Sequence, residues 1–234
     1  MEKIAHRACA GQFPENTVKA AQSCASHVDR IELDVRRCGS GELVVFHDDN
    51  LEMLTGVFGR VHALDVASLT EIEVLGTDQI IPTLSTVLEV IPPTVDIQID
   101  FKHLGLAHDV KDTLANFEHD VYICSVHDAA LDQVHEEGWN VPIGYVSFPY
   151  FQERPVSDDE ISEVNYGNAL ETATELECEF IEVPQKLCRQ TDIVVEAHDA
   201  GLDVVAWTID THEVAEALAN LGVDALMVNR YDVI

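Results

Sequence analysis

Short apolar runs alternate along the chain with longer segments whose apolar residues recur every three to four positions. The runs predict strands at Lys3–Ala8, Val28–Val35, Val95–Lys102, Val121–Ser125, Ile143–Ser147, Phe180–Val183, Val204–Ile209 and Ala225–Val228. Between them the helical spacing predicts helices near Thr17–Ser26, Leu106–Phe117, Ala129–Glu137, Glu160–Leu176, Asp192–Ala200 and Glu213–Leu221. Gly138, Gly201 and Gly222 stand where helix C-termini favour glycine. Eight strands in 234 residues, with no Pro- or Ser-rich linker, predict one domain over residues 1–234, a (β/α)8 barrel. A doubly wound sheet is the runner-up.

One stretch breaks the alternation. Gly39-Ser40-Gly41 turns the chain into Leu43–Phe46, and residues from about 48 to 82 are mixed in character before Pro82-Thr83-Leu84 opens a short helix. That length predicts a small insertion after strand two, over the carboxyl end of the barrel.

Strand period puts Glu32 and Asp34 of Ile31-Glu32-Leu33-Asp34-Val35 on one face, and Asp100 and Lys102 on one face of the next predicted strand. Barrel strands are covered on both sides, so inward carboxylates are costly unless they hold something positive. Three carboxylates offer oxygen donors only, which suits one divalent cation, Mg²⁺ or Ca²⁺, and disfavours zinc. His6 and His47 close extended runs that lead to the same end, a general acid/base pair for cleaving an anionic ester. Arg36 and Arg37 follow the carboxylate strand and read more readily as a surface pair than as a lure for anionic substrate. Glu182 reads equally as a mouth residue or a satisfied polar group and is left out of the site.

Composition narrows the partners. Lys and Arg number 13 against 43 Asp and Glu, for a formal charge of −30. That argues against nucleic acid and against anionic membrane surfaces. Residues 1–117 hold 18 acids and 9 bases, the remainder 25 and 4. An acidic surplus spread along the chain points to adaptation to high salt and a halophilic archaeal host. The six cysteines form no CxxC pair and read as free buried thiols. No apolar stretch approaches a membrane span, the N-terminus has no apolar leader, and the chain reads as cytoplasmic.

His6-Arg7, Pro14-Glu15-Asn16-Thr17, Ile31-Glu32-Leu33-Asp34-Val35, Val45-Phe46-His47-Asp48, Ile81-Pro82-Thr83-Leu84, Asp100-Phe101-Lys102 and Trp207-Thr208-Ile209-Asp210 occur in this order. Together they resemble the glycerophosphodiester phosphodiesterase family across nearly the whole chain. The resemblance implies a metal-dependent barrel that hydrolyses a small-molecule glycerophosphodiester to glycerol phosphate and an alcohol. It implies His6 and His47 as acid/base pair and Glu32, Asp34 and Asp100 as metal ligands. Arg7 and Lys102 would hold the phosphate, Glu15 would position groups near it, and Trp207 would line the mouth. The chain departs from the family at Ala8, where glycine is usual, and at Asp100, where glutamate is usual. The family's Arg is absent from Leu51–Thr55, and Ser125-Val126-His127 only loosely matches its Ser-Phe pair. The alternatives are a non-catalytic barrel that binds phosphorylated metabolites and a phospholipase-type relative acting on intact phospholipid.

Overall fold

The computed structural model describes residues 1–147, 157, 160–161 and 164–233. Eight parallel strands close a barrel: β1 (Glu2–Ala5), β2 (Arg30–Arg37), β4 (Asp96–Phe101), β5 (Val121–Ser125), β6 (Ile143–Val146), β7 (Phe180–Pro184), β8 (Asp203–Ile209) and β9 (Ala225–Val228). Strand β1 pairs with both β2 and β9, and that double pairing leaves no edge. A short strand, β3 (Leu43–Val45), folds back antiparallel on the end of β2. The described helices are α1 (Val18–Cys24), α2 (Glu52–Thr55), α3 (Val66–Leu69), α4 (Leu84–Leu88), α5 (Ala107–Leu114), α6 (Asp128–Glu136), α7 (Gly167–Glu175), α8 (Gln185–Gln190), α9 (Ile193–Asp199) and α10 (His212–Leu221). The first half of the helix predicted at Glu160–Leu176 falls largely outside the described residues; its second half is α7. Helix α8 follows β7 directly and was not anticipated, because Gln185–Gln190 offers little more than one turn of apolar spacing.

Alternation along the strands sorts side chains between two cores. Ile31, Leu33 and Val35 of β2 face the helix layer, where they meet Ala20, Ala21 and Cys24 of α1 in the main apolar cluster. The barrel interior holds a smaller cluster of Ile4, Cys124, Val146, Phe180, Val205, Trp207, Ala225 and Met227. It closes tightly: a methyl on Gly144 would sit 2.0 Å from the Phe180 ring in the adjacent strand. The segment from β3 to α4 has its own apolar cluster, built on Phe46, Leu51, Val61, Leu69, Val74 and Ile81. Helices start where threonine accepts a backbone N–H three residues on, as Thr17 does from Ala20 and Thr211 from Val214. All six cysteines are buried thiols. Among the described residues no helix is long and apolar enough to cross a membrane.

Candidate active site

Strand β1 ends at Ala5, three residues earlier than its apolar run suggests. The chain then enters a tight turn, His6–Ala8, in which Arg7, Ala8 and Cys9 all take left-handed backbone angles (φ 47°, 57° and 69°). Non-glycine residues rarely hold such angles, each costing on the order of 1 kcal/mol or more. The turn is fixed by the Arg7 N–H donating to Glu32 Oε2 at 2.6 Å and the Asn16 N–H donating to the Arg7 carbonyl at 3.0 Å. His6 and Arg7 are thereby aimed over the carboxyl end of β2.

Parallel register sets Asp34 beside Asp100 and Glu32 beside Gln98. The carboxylate oxygens of Glu32, Asp34 and Asp100 lie within 4.8 Å of one another, and all three residues are buried. Burial and the neighbouring Asp34 push Glu32 well above the usual carboxylate range. Asp34 stays far below it despite burial, because Lys102, His47 and Arg7 favour its charge. Lys102 Nζ lies 2.8 Å from Asp34 Oδ1 and also contacts Asp100. Asn16 Nδ2 donates to Asp34 Oδ2 at 2.6 Å, and Arg7 Nη1 donates to Glu15 at 3.1 Å. Asp100 Oδ1 is buried with no hydrogen-bond partner. An acceptor orphaned beside two other carboxylates fits an oxygen-ligated divalent cation.

The two histidines are set differently. His6 Nδ1 lies 2.8 Å from Asn229 Oδ1, and Asn229 Nδ2 donates to Asp210 at 3.1 Å. That second bond orients the amide with its oxygen toward His6, so His6 must donate from Nδ1 and keep a lone pair on Nε2. Burial and Arg7 lower His6 to a pKa of about 3, so it is neutral near pH 7. His47 Nδ1 instead lies 2.7 Å from Asp48 Oδ1, and that bond lowers Asp48.

A small cavity at this end is lined by His6, Arg7, Glu32, Asp34, Asp100, Lys102, Cys124, Val146, Glu182 and Met227. Trp207 belongs to the apolar cluster beneath it, 4% exposed, with Nε1 buried and unpartnered. Of the residues read from the sequence, His6, Arg7, Glu32, Asp34, Asp100 and Lys102 line this cavity, Glu15 contacts Arg7, and His47 and Trp207 are not among the lining residues; four further residues were given no role. Glu182 faces the cavity, accepting from Gln98 Nε2 at 2.6 Å, and burial and Asp100 raise it to about 8. Asn16 cradles Asp34. Asn229 and Asp210 follow the ends of β9 and β8; Asp210 closes the Trp207–Asp210 motif, whereas the sequence signal of Asn229 is only a polar residue just past an apolar run. Arg36, read as one of a surface pair, donates through Nε to the His47 carbonyl at 2.8 Å, whereas Arg37 does face outward, to Asp109 and the Gly105 carbonyl.

A closed parallel barrel with carboxylates, cations and two unlike histidines at its carboxyl end is the framework of a hydrolase for anionic esters. The particular kind follows from comparison with known proteins. The profile of the glycerophosphoryl diester phosphodiesterase family matches residues 6–233, and the chain belongs to that family of phosphoric diester hydrolases. YhdW of Bacillus subtilis, to which glycerophosphodiester phosphodiesterase activity is provisionally assigned, is 25% identical over 99% of this chain and 95% of its own. The structure of an Oleispira antarctica phosphodiesterase in complex with the product sn-glycerol-3-phosphate aligns with a TM-score of 0.81 at 25% identity, covering 98% of this chain and 93% of that one. A lysophospholipase D of Rattus norvegicus is 30% identical over 60% of this chain and 50% of its own.

Proposed function

We propose that the protein hydrolyses glycerophosphodiesters to glycerol phosphate and an alcohol, with His6 as general base and His47 as general acid. The observation that carries the reading is a charged cavity lined by His6, Arg7, Asp34, Asp100 and Lys102, with His47 near enough to act on the Asp34 charge and set differently from His6. A neutral imidazole with an unprotonated Nε2 accepts a proton from the attacking water, whose oxygen bonds to phosphorus as the bond to the alcohol oxygen breaks. The His47 imidazole, held by its Nδ1 hydrogen bond to Asp48, is oriented to deliver a proton from its other nitrogen to the leaving alcohol oxygen. Asn229, oriented by Asp210, acts on His6 as Asp48 acts on His47, but without a charge.

Glu32, Asp34 and Asp100 would hold one divalent cation, Mg²⁺ or Ca²⁺. When bound it supplies Lewis-acid neutralisation of the diester charge, the main barrier to attack on such an ester. Arg7 and Lys102 bind the phosphate oxygens by charge-assisted hydrogen bonds, and Glu15 holds the Arg7 fork in its plane. The Trp207 indole N–H, unpartnered and buried, offers a further donor to an oxygen of the substrate. Residues 48–82 form the insertion that shapes the mouth, within a single domain of residues 1–234.

The test is release of alcohol from a panel of glycerophosphodiesters with Mg²⁺, Ca²⁺ or chelator, alongside His6→Ala and His47→Ala. Cation-dependent turnover that falls at least about a thousandfold in both variants is expected. Unchanged turnover in either variant sinks the role assigned to it. Intact lysophospholipid is a second reading, favoured by Met53 and Phe58, 80% and 82% exposed on the segment that leaves His47. The same panel decides it, with lysophosphatidylcholine as an added substrate.

A further inference from the structure

Arg36 is a cation at the catalytic end to which the reading above assigns no ligand. Strand β2 places Arg30, Glu32, Asp34 and Arg36 successively on its inner face, so Arg36 stands one step beyond Asp34, toward the mouth. Its Nε donates to the His47 carbonyl at 2.8 Å, which fixes the guanidinium beside that histidine. Arg7, Arg30, Arg37, Arg60 and Arg230 each have a carboxylate within 4 Å. Among the described residues Arg36, like the exposed Arg189, has none, although Asp34, Asp48, Asp49 and Asp100 all lie near enough to act on its charge. In a chain of 43 acids and 13 bases, a partly buried arginine whose terminal amino groups have no hydrogen-bond partner among the described residues is an unusual placement. The two nitrogens form a fork suited to a pair of anionic oxygens.

We propose that Arg36 forms a second anion subsite on the alcohol side of the scissile bond, selecting glycerophosphodiesters whose alcohol carries a further phosphate or carboxylate. The inference rests on the hydrolytic reading and on His47 as the acid. The group that protonates the leaving oxygen lies beside the departing alcohol, and Arg36 is bonded to the backbone of that group. A diester with a neutral alcohol reaches Arg7 and Lys102 and leaves the Arg36 fork to water. One with an additional anion engages both ends.

Matched pairs that differ by one anionic group test this. Glycerophosphoinositol 4-phosphate is compared with glycerophosphoinositol, and glycerophosphoserine with glycerophosphoethanolamine, at one ionic strength with the preferred divalent ion. The wild type is expected to favour the more anionic member of at least one pair by about tenfold to a hundredfold in kcat/KM, the range of a charge-assisted bidentate contact. The pair that responds identifies phosphate or carboxylate as the ligand. Arg36→Gln is expected to bring that ratio near one, chiefly through KM, and Arg36→Lys to retain part of it. A wild-type ratio near one in both pairs overturns the subsite. So does an equal loss on both members in Arg36→Gln and Arg36→Lys, which would show a residue that merely holds the His47 carbonyl. Absence of turnover on all four compounds instead sinks the hydrolytic reading.

Discussion

Exchanging the side chains behind His6 tests the base assignment without changing the net charge. In the double variant Asn229→Asp/Asp210→Asn the carboxylate moves from the far end of the relay to the position 2.8 Å from Nδ1, and the amide takes its place behind it. Donor and acceptor still match, so the tautomer and the ring orientation are retained. What changes is the charge against the imidazolium. At roughly 4 Å between charge centres and an effective dielectric constant near 20, that charge is worth about 4 kcal/mol, or about three pH units, less the part that Asp210 already supplied from further away. The native His6 value of about 3 arises from burial and Arg7, and the exchange moves it upward. A base must be unprotonated to act, and the acid limb of kcat/KM therefore moves upward by one to three pH units while the plateau is kept within about tenfold. The assay is a pH–rate profile from pH 4 to 9 with saturating divalent ion, in which the wild type, with His6 near 3, should stay flat on the acid side as far as this group is concerned, while the exchanged protein should bend downward. Superimposable acid limbs would refute the reasoning, since a His6 that supplies the base cannot acquire a carboxylate neighbour unnoticed.

Three further outcomes follow from buried contacts. Trp207→Phe removes an unpartnered buried N–H, so thermal stability is expected to hold or rise while KM rises about threefold to tenfold; an unchanged KM removes the indole from substrate binding. Gly144→Ala forces a methyl against Phe180 and is expected to cost about 1–3 kcal/mol, read as a fall in Tm; an unaltered Tm would show that the barrel interior yields there. Glu182 is raised to about 8 in the fold against an ordinary value of 4.5, so the folded state holds a proton that the unfolded state has lost. Its stabilising contribution is complete below pH 4.5 and disappears as pH rises through 8. Glu182→Gln, in chelator, should raise Tm at pH 9 and change it little at pH 5; equal effects at both pH values would show that the carboxyl is not titrating.

The barrel was legible because its strands are apolar on both faces and its helices on one, and two periods in alternation admit few folds. The inner carboxylates were legible for the same reason: Glu32, Asp34 and Asp100 interrupt apolar runs at the strand period, where burial demands a compensating charge. Strand one read too long because Ile4, Ala5 and Ala8 are all apolar, and nothing in Arg7, Ala8 or Cys9 announces a left-handed turn, for which glycine is the usual sign. Asn229 was invisible for a topological reason, and with it the role of Asp210, although Asp210 closes a quoted motif. Residue 229 meets residue 6 only because β1 closes the barrel against β9, a pairing that local pattern does not encode. Arg36 was misplaced because two arginines in succession look like a solvated pair, whereas strand alternation sends one of them inward and the other out.

The charge with which the composition opens, −30, also sets a condition on the site. Burial favours the neutral form of Glu32, so without an ion Asp34 and Asp100 match Arg7 and Lys102, and Lys102 is engaged by both of those carboxylates. Such a centre has little net charge with which to attract a phosphate, and the acidic surface around it repels one. A divalent ion held there makes the centre positive, and Lys102 has fewer carboxylates to neutralise alone. Affinity for the product is therefore expected to depend on the ion more steeply than electrostatic screening can account for. Titration of glycerol 3-phosphate by calorimetry should show Kd at least about a hundredfold weaker in chelator than in Mg²⁺ or Ca²⁺, at a fixed 1 M KCl where surface charge is screened beyond about 3 Å. Asp100→Asn should give the weak value under both conditions. Equal Kd with and without the ion would mean that Arg7 and Lys102 suffice, and that the three carboxylates answer to the cations of the chain alone.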